Sequence, residues 1–583
     1  MELEIREDSL SKPSQLLILG VAAIQGIALY FFYTSLAEDW WPIENEPLTA
    51  IIGLWLFLLP ITLILTYRRS LADKAYWTIL LVLGLLIVPI GYYFGQSHVE
   101  DSMKEAGFGS VAAFAVAYFI GLFWIKARLH EAVWFPSYAS MFAFSWHNFL
   151  SITLAQLFSL LVVGLLFLWG SLFKVININF FADLFSEHWF LIPATTVSFA
   201  YAVILFRTQI NAVGAVQRIL RALFTILLPI VGIVAALFVA FLPVTGTDLI
   251  WQKGYGSGTI LWFVFVSLFL FNAVFQDATE LVYSPRVNRI VRFIPLVLLV
   301  LMALCTYGVG VRVHEYGLTV ERIWAIILTL FAGGFVLFYS ALAVFGRNSW
   351  ESLFGRANSV MALVVSGVCL LVITSVLSLD RLSIASQVKR LNTGQVEPEK
   401  FDYAYLMRLG LHGEKALEQL AMSDLVAEND IALQRLNRAV ETKGYDYAND
   451  FFGDEKITTA INEHLLVYPP DLKVDKEGLV VQLNLSEIEQ CTQAQPCVLI
   501  ELNINEDPEK ERIFLTPSYQ GRYQATRVQE YAPGLYNRVG YLNIDLDAQA
   551  LIESLKAGEV SAQPSSWQNI QIGDQLIRIG EPN

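Results

Sequence analysis

Long uncharged segments dominate the sequence of this 583-residue chain. A helix needs about 20 consecutive apolar residues to cross the hydrocarbon core of a bilayer, where every backbone hydrogen bond has to be made within the protein. Eleven segments meet this requirement, so we predict an α-helical polytopic membrane protein. The predicted spans cover residues 14–35, 47–66, 75–95, 108–125, 149–173, 188–206, 222–243, 259–283, 293–311, 323–345 and 359–379.

Charge divides the chain into two regions. Residues 1–379 contain 20 basic and 21 acidic residues, whereas residues 380–583 contain 19 and 32. The second region is therefore acidic and has the composition of a water-soluble module. This pattern excludes a soluble enzyme, a small disulfide scaffold and, because no domain is basic, a nucleic-acid-binding protein. We predict a transmembrane helical bundle over residues 1–380, a helical connector over 381–470 and a small extramembrane α+β domain over 471–583.

The lysines and arginines between the spans predict the orientation. With the N-terminus in the cytoplasm, fifteen of these residues lie in cytoplasmic segments and five lie in the opposite loops, which is the bias expected of membrane proteins. Because the number of spans is odd, the acidic region emerges on the outer side. The fifteen are Arg6, Lys12, Arg68, Arg69, Lys74, Lys126, Arg128, Arg207, Arg218, Arg221, Arg286, Arg289, Arg292, Arg347 and Arg356.

Alternating apolar residues in the acidic region predict β-strands. Two cysteines lie among them, Cys491 and Cys497. On an oxidising face these two should form a local disulfide; free thiols or half of a metal site are the alternatives. The predicted strands lie around residues 479–483, 498–502, 513–515 and 541–544, and a closing hairpin is predicted over 570–579.

Four sequence blocks occur in a characteristic order. They are the segment 146–190, the motif NAVFQD at 272–277 with Tyr283 and Pro285, the motif EYGLTVERIW at 315–324, and the segment 381–411. In this order they resemble the domain-of-unknown-function 4153 family of bacterial proteins. The resemblance implies a multi-span protein of the bacterial inner membrane. In that membrane, the orientation predicted from the basic residues makes the C-terminal domain periplasmic. The resemblance implies no activity, because none is established for the family as a whole.

A late acidic stretch corresponds to an aspartate- and glycine-rich turn that relatives in this family often carry. Its oxygen ligands at alternate positions, Glu501, Asn503, Asn505 and Asp507, would suit a calcium loop. However, the position that needs a glycine is occupied by a glutamate, and the position of the usual bidentate glutamate is occupied by an arginine. We favour a solvated acidic turn, and we predict no metal and no other cofactor.

Polar residues in the eighth span are candidates for chemistry, since ionisable groups are costly inside a membrane. Their spacing predicts that they share one broad face of a helix. A proton or cation relay, or a substrate contact, is one hypothesis. Ion pairs of the two carboxylates with nearby arginines are the simpler interpretation. The residues are Asn272, Gln276, Asp277, Glu280 and Tyr283.

The start of the fifth span supplies a second group. His147 and Asn148 lie on nearly the same helical face as Ser151 and Ser159. A polar seam between helices is the favoured interpretation, and a ligand site is the alternative.

Two outer loops carry further candidates. The loop after the ninth span contains Arg312, His314, Glu315 and Arg322. We predict that its arginines, with Arg381, either hold the acidic domain through partners such as Glu397, Glu399 and Asp402, or bind an anionic headgroup. The first outer loop contains Glu38 and Asp39, followed by Glu44 and Glu46.

Three functions of different classes fit this sequence. The first is an envelope protein for assembly, sensing or partner binding that presents a periplasmic domain. The second is a membrane enzyme acting on lipid-linked substrates, by analogy with glycosyltransferases that place acidic residues in the first outer loop. The third is a transporter, which the absence of half-to-half symmetry disfavours. The expected partners are membrane lipids and envelope proteins, and not nucleic acids.

Overall fold

Most of the membrane region and parts of the acidic region are described by a computed structural model of the chain. Among the described residues, eleven helices are long and apolar enough to cross a membrane, which confirms the predicted helical membrane protein. The described residues are 10–68, 74–97, 106–208, 210–246, 256–276, 282–346, 350–374, 377–441, 463–470, 472, 474, 491–492, 495–502, 511–517, 523–532, 535–544, 557, 570–572 and 575–577.

The helices of the bundle follow the predicted spans closely, with two short helices between them. In chain order they are α1 (Lys12–Ala37), α2 (Glu46–Thr66), α3 (Lys74–Ser97), α4 (Ala106–Glu131), α5 (Tyr138–Val175), the short α6 (Phe180–Ser186), α7 (His188–Thr208), α8 (Ile210–Thr245), α9 (Gly256–Phe275), the short α10 (Pro285–Val291), α11 (Ile294–Tyr316), α12 (Val320–Phe345) and α13 (Trp350–Val372).

Four predicted spans have wrong boundaries. Helix α8 begins at Ile210 and not at 222. Helix α5 begins at Tyr138 and not at 149, because the Ser137 hydroxyl accepts a hydrogen bond from the first turn. Helix α9 ends at Phe275 and not at 283, and Gln276 after it has a φ of 50°. Helix α13 covers Trp350–Val372 and not 359–379, because a new helix begins behind the capping side chain of Ser378.

Two large apolar cores lie among the described residues of the bundle. The first lies among α1, α2, α3, α4, α5 and α7, where Ala22, Ala155 and Ala200 are among the buried residues. Helices α1 and α7 approach each other closely, since a Cβ on Gly26 would lie 2.5 Å from the Cα of Pro193. The second core is richer in large side chains, and it joins α8, α9, α11, α12 and α13 around Leu228, Phe271, Leu298, Tyr339 and Phe354.

The chain divides into two compact units. The first contains residues 1–395 and 409–418, and thus the bundle. The second contains residues 396–408 and 419–583. The helices after the bundle are α14 (Leu379–Asn392), α15 (Tyr403–Met407), α16 (Leu411–Ala421), α17 (Asp424–Ala427) and α18 (Asp430–Glu441).

A five-stranded sheet forms in the second unit, so the predicted α+β character of the C-terminal region is confirmed. The first two strands are parallel and the remaining pairs are antiparallel. The order along the sheet is β1 (Leu465–Tyr468), β2 (Cys497–Leu502), β3 (Glu511–Pro517), β4 (Tyr523–Ala532) and β5 (Leu535–Ile544), and β6 (Ile570–Ile572) pairs with β7 (Gln575–Ile577) as a separate hairpin.

Two details of this region bear on the sequence predictions. The Cys491–Cys497 disulfide is present, with the two Cα atoms 5.4 Å apart, so that prediction is confirmed. Strand β1 lies within the segment that the sequence assigned to the helical connector. The strand predicted around 479–483 lies outside the described residues.

Candidate functional site

Four neutral polar side chains meet inside the bundle at one end. Tyr138 lies in the first turn of α5, Asn272 near the end of α9, Tyr339 late in α12 and Asn358 early in α13. Antiparallel neighbours bring the beginning of one helix beside the end of the next, which places these positions at one level. We call these four residues the amide–tyrosine cluster, and we call this end of the bundle the basic end, because the arginine-bearing α10 lies there.

Hydrogen bonds link the members of the cluster directly. The Asn358 Nδ2 donates to the Tyr138 hydroxyl at 2.8 Å and to Asn272 Oδ1 at 3.0 Å. The Tyr339 hydroxyl lies 2.8 Å from Asn272 Oδ1 and also contacts Asn358 Oδ1. The Asn272 Nδ2 in turn donates to the Leu268 carbonyl at 3.1 Å. The cluster therefore ties α5 to three helices of the second core.

All four side chains of the cluster are uncharged, and the amide groups of both asparagines form hydrogen bonds. Asn358 engages both N–H groups and its oxygen, and Asn272 engages its oxygen and one N–H. No member is a carboxylate, an imidazole or an amine, so none changes charge near neutral pH. A satisfied neutral network of this kind fixes helix positions.

Stacked aromatic rings lead away from the cluster toward the surface. The Tyr339 ring lies between Phe271 and Phe354, with both centroid distances 5.2 Å. Phe354 stacks on Trp350 at 5.9 Å, and the guanidinium of Arg292 lies 4.6 Å from the Trp350 ring centre. We call the four rings the aromatic column. It ends at a cation–π contact at the start of α13.

The opposite end of the bundle has a different construction. Helix α14 is fastened to the short turn between α11 and α12, and we call α14 the strap. The Ser383 hydroxyl donates to the Leu318 carbonyl at 3.2 Å, and the Ser386 hydroxyl accepts from the Leu318 N–H at 3.0 Å. Gln387 Nε2 donates to the carbonyls of Leu318 at 2.8 Å and Tyr316 at 3.1 Å.

A buried carboxyl lies at the start of the strap. Asp380 is 5% exposed, and among the described residues no cation lies within ion-pair distance of it. Burial raises the pKa of Asp380 to about 6. The side chain of Tyr93, from α3, interacts with it and bonds to Ser378. The strap therefore contacts α3 as well as the turn between α11 and α12.

The next residue, Arg381, forms a hydrogen bond with a histidine side chain. Its Nε donates to His412 Nε2 at 3.3 Å. Burial, together with the charges of Arg381 and Lys415, lowers the pKa of His412. This shift favours the uncharged imidazole, whose ring nitrogen can accept the hydrogen bond from Arg381.

Comparison with known proteins identifies the family. The model of the family described as Domain of unknown function (DUF4153) matches residues 48–420. The chain belongs to this family. The match includes the whole amide–tyrosine cluster and the strap, and it ends before β1, so both constructions lie within the DUF4153 region. No curated protein and no solved structure matches the chain.

The DUF4153 block at 272–277 begins on α9 and continues past the end of that helix. Because α9 ends at Phe275, the helical register is broken before Tyr283, whose hydroxyl instead donates to the Thr225 carbonyl at 2.7 Å. Asn272 belongs to the cluster, and half-buried Gln276 follows the helix. Asp277 and Glu280 lie outside the described residues.

The DUF4153 block at 146–190 contributes the polar seam on α5. His147, Asn148, Ser151 and Ser159 are buried, and His147 Nδ1 lies 3.4 Å from the Ser151 hydroxyl. The Ser159 hydroxyl pairs with that of Ser198 on α7 at 2.8 Å. Neither amide atom of Asn148 has a hydrogen-bond partner in the part of the chain that the structure describes.

The charged loop between α11 and α12 is shorter than the sequence predicts. Helix α11 continues to Tyr316, so Arg312, His314 and Glu315 lie in its last turns, and only residues 317–319 connect it to α12. Gly317, with a φ of 73°, ends the helix. Arg322 donates to the carbonyls of Tyr316 at 3.1 Å and Gly317 at 3.0 Å, and its guanidinium also lies over the Tyr316 ring.

The predicted acidic partners of that loop have contacts within the second unit. Glu397 lies 2.9 Å from Lys400, the Asp402 carboxylate lies 4.0 Å from Arg408, and Glu399 accepts from Asn429 at 3.2 Å. Docking through Arg312 and Arg322 stays a prediction.

The remaining acidic candidates are dispersed. Glu38, Asp39 and Glu44 are exposed between α1 and α2, and Glu46 is exposed at the start of α2. Glu501 forms an ion pair with Arg512 at 2.9 Å across β2 and β3, whereas Asn503, Asn505 and Asp507 lie outside the described residues. Among the described residues, no group of three His, Cys, Asp or Glu side chains could hold a metal ion.

Sequence reasoning missed three of the four cluster residues. Tyr138 and Asn358 lie outside the predicted spans, and Tyr339 is an aromatic residue in an apolar run. One signal in the sequence was Asn358, directly before the predicted span 359–379. An amide buried at the end of a span requires hydrogen-bond partners on neighbouring helices.

Proposed function

We propose that this DUF4153 protein is a multi-pass protein of the bacterial inner membrane that presents its acidic C-terminal region in the periplasm for envelope assembly, sensing or partner binding. The N-terminus is then cytoplasmic. Fifteen basic residues against five support this orientation, and the family resemblance supports the inner membrane.

The strap is the observation that carries the proposal. Four hydrogen bonds join side chains of α14 to the backbone of residues 316–318. A linker that only connected two domains would not need this attachment, since loops are ordinarily mobile. The attachment fixes the point at which the chain leaves the bundle, which is what a protein that positions a domain requires.

The interior of the bundle also favours a structural role. The amide–tyrosine cluster carries no group that titrates near neutral pH, and its hydrogen bonds are directed at one another. Proton relays in transporters depend on carboxylates or histidines at such positions. The cluster is suited to holding α5 against α9, α12 and α13.

In-cell photo-cross-linking tests the proposal. A photoreactive amino acid is placed at Met422, which is 81% exposed in the second unit, and in a second strain at Leu165, which is 64% exposed on α5. We expect a discrete protein adduct from position 422 and lipid adducts from position 165. Absence of any protein adduct from 422 in growing cells would contradict partner binding.

The strap supplies the second arm of that experiment. Replacing Ser383 and Gln387 together with alanine removes three of its four backbone contacts. The adduct from position 422 should then weaken or spread over several products, at unchanged protein level. The matched control is Thr393→Ala, because the Thr393 hydroxyl bonds only to carbonyls of its own helix. Equal adducts in both variants would show that partner binding does not depend on the attachment of the strap.

A further inference from the structure

We propose that the basic end of the bundle binds the phosphate of an anionic membrane lipid between Arg292 and Trp350. The ligand class is a phosphodiester whose headgroup carries a free hydroxyl. This inference is independent of the proposed function of the C-terminal region.

An indole N–H without a partner is the first observation. Trp350 is 4% exposed, and its Nε1 has no hydrogen-bond partner in the described part of the chain. A buried donor left unpaired loses its hydrogen bonds to water without replacement, so such a group is rare without a ligand or water to accept from it. The Trp350 ring is held in place by Phe275 and Phe354, with centroid distances of 5.9 Å to each.

A guanidinium beside this donor is the second observation. Arg292 lies over the Trp350 ring, 4.6 Å from its centre. A guanidinium presents several donors in a plane, which suits the oxygens of a phosphate while its face rests on an aromatic ring. An indole N–H and a guanidinium together form a donor set for an anion.

A buried acceptor one helical turn away is the third observation. Asn288 precedes Arg292 by four residues and so shares its face of α10. It is 3% exposed, and its Oδ1 has no hydrogen-bond partner among the described residues. A phosphodiester alone offers only acceptors, so this oxygen requires a donor elsewhere in the ligand. A headgroup hydroxyl, as in a glycerol headgroup, supplies it.

The helix that carries these residues has the character of an interfacial helix. Val287 and Ile290 are exposed apolar residues, and Arg286 and Arg289 are exposed basic residues of the same short helix. Such a composition places a helix at the level of lipid headgroups. A lipid phosphate is therefore available at the height of Arg292, and the adjacent arginines attract anionic lipids.

Binding measurements on the full chain test the assignment. Delipidated protein in a zwitterionic detergent is titrated with short-chain phosphatidylglycerol, and bound lipid is counted by native mass spectrometry. We expect Arg292→Gln to weaken binding about tenfold, from loss of a charge-assisted contact. Trp350→Phe keeps the ring and removes the N–H, and should weaken binding about three- to tenfold. Arg356→Gln, an exposed arginine on α13, is the control and should change binding less than twofold.

Two further arms identify the ligand. Asn288→Leu should weaken the binding of phosphatidylglycerol and leave the binding of phosphatidylmethanol, a phosphodiester without a headgroup hydroxyl, unchanged. Inorganic phosphate at millimolar concentration should not displace the lipid; displacement would identify free phosphate as the ligand instead. Wild-type affinity for phosphatidylglycerol in both Arg292→Gln and Trp350→Phe would overturn the proposal. If Arg292→Gln fails to accumulate, Trp350→Phe decides, because its ring preserves the packing.

Discussion

The two ends of the bundle are built on different principles. At the basic end, side chains bond to other side chains: an amide–tyrosine cluster joins four helices, and stacked rings connect it to Arg292. At the strap end, side chains of one helix bond to the backbone of a turn, and the carboxyl of Asp380 is buried beside them. The first construction joins spanning helices to each other. The second attaches a helix that does not span.

This difference predicts different responses to mutation. A side chain shared by several bonds cannot be removed without leaving its partners unsatisfied, so substitutions in the cluster should act on the whole bundle. Bonds from α14 to a turn are replaceable by water when the strap lifts, so substitutions there should act locally.

The largest effect is expected at the centre of the cluster. Asn358→Leu removes the bonds to Tyr138, Tyr339 and Asn272 at once. At about 0.6 kcal/mol for each interhelical bond, plus the cost of unsatisfied partners, the free energy of unfolding should fall by about 2–3 kcal/mol. Equilibrium unfolding in mixed micelles measures this free energy.

The comparison variant for Asn358 is Gln25→Leu. Gln25 Nε2 is directed at two carbonyls of α2, of which the closer, that of Leu56, lies at 3.0 Å. Gln25→Leu should lower the free energy of unfolding by about 1 kcal/mol or less. Equal losses in the two variants would mean that the cluster is not a shared node.

The second effect concerns pH at the strap end. The pKa of Asp380 is raised from 3.8 to about 6, so the attached strap prefers the protonated carboxyl. The attachment of the strap should be most stable below pH 4. Its stability should fall by about 2–3 kcal/mol as the pH rises from 4 to 6, and should stay low at higher pH. Tyr93, Arg381 and His412 are the titratable or charged groups near it.

Hydrogen exchange of the α14 amides measures this prediction. After correction for intrinsic rates, exchange should be faster at pH 8 than at pH 5. Asp380→Asn should slow exchange at pH 8 and remove the difference. A wild-type strap whose corrected exchange does not vary with pH would rule out a buried neutral carboxyl.

A smaller effect is expected in the turn beneath the strap. Gly317 has a φ of 73°, and a Cβ there would lie 2.5 Å from Cδ of Arg390. Gly317→Ala should therefore destabilise the attachment by about 1–2 kcal/mol. Limited proteolysis should cut α14 faster in this variant, whereas Gly310→Ala, where a Cβ meets nothing within 4 Å, is the control. Equal cleavage rates would show that the turn tolerates the side chain.

The sequence predicts these two ends unequally well. Spans are predictable because hydrophobicity over about 20 residues is a local property, and all eleven were found. The end of α9 at Phe275 was missed, because no proline or glycine occurs between it and Pro285 to indicate a boundary at that point. The cluster was missed because Tyr339 and Asn358 acquire their role only when four helices meet. The strap lies in a recognised sequence block, but its attachment to residues 316–318 depends on the fold.

Thiol labelling of both ends tests the central claim, that the strap end faces the periplasm and the basic end the cytoplasm. Lys389 on α14 and Arg289 on α10 are exposed and are replaced singly by cysteine. The native cysteines do not interfere, because Cys305 and Cys369 are buried and Cys491 and Cys497 are bonded. In cells with a permeabilised outer membrane, an impermeant maleimide should label position 389 at once and position 289 only after detergent treatment. Labelling of 289 and protection of 389 would contradict the account.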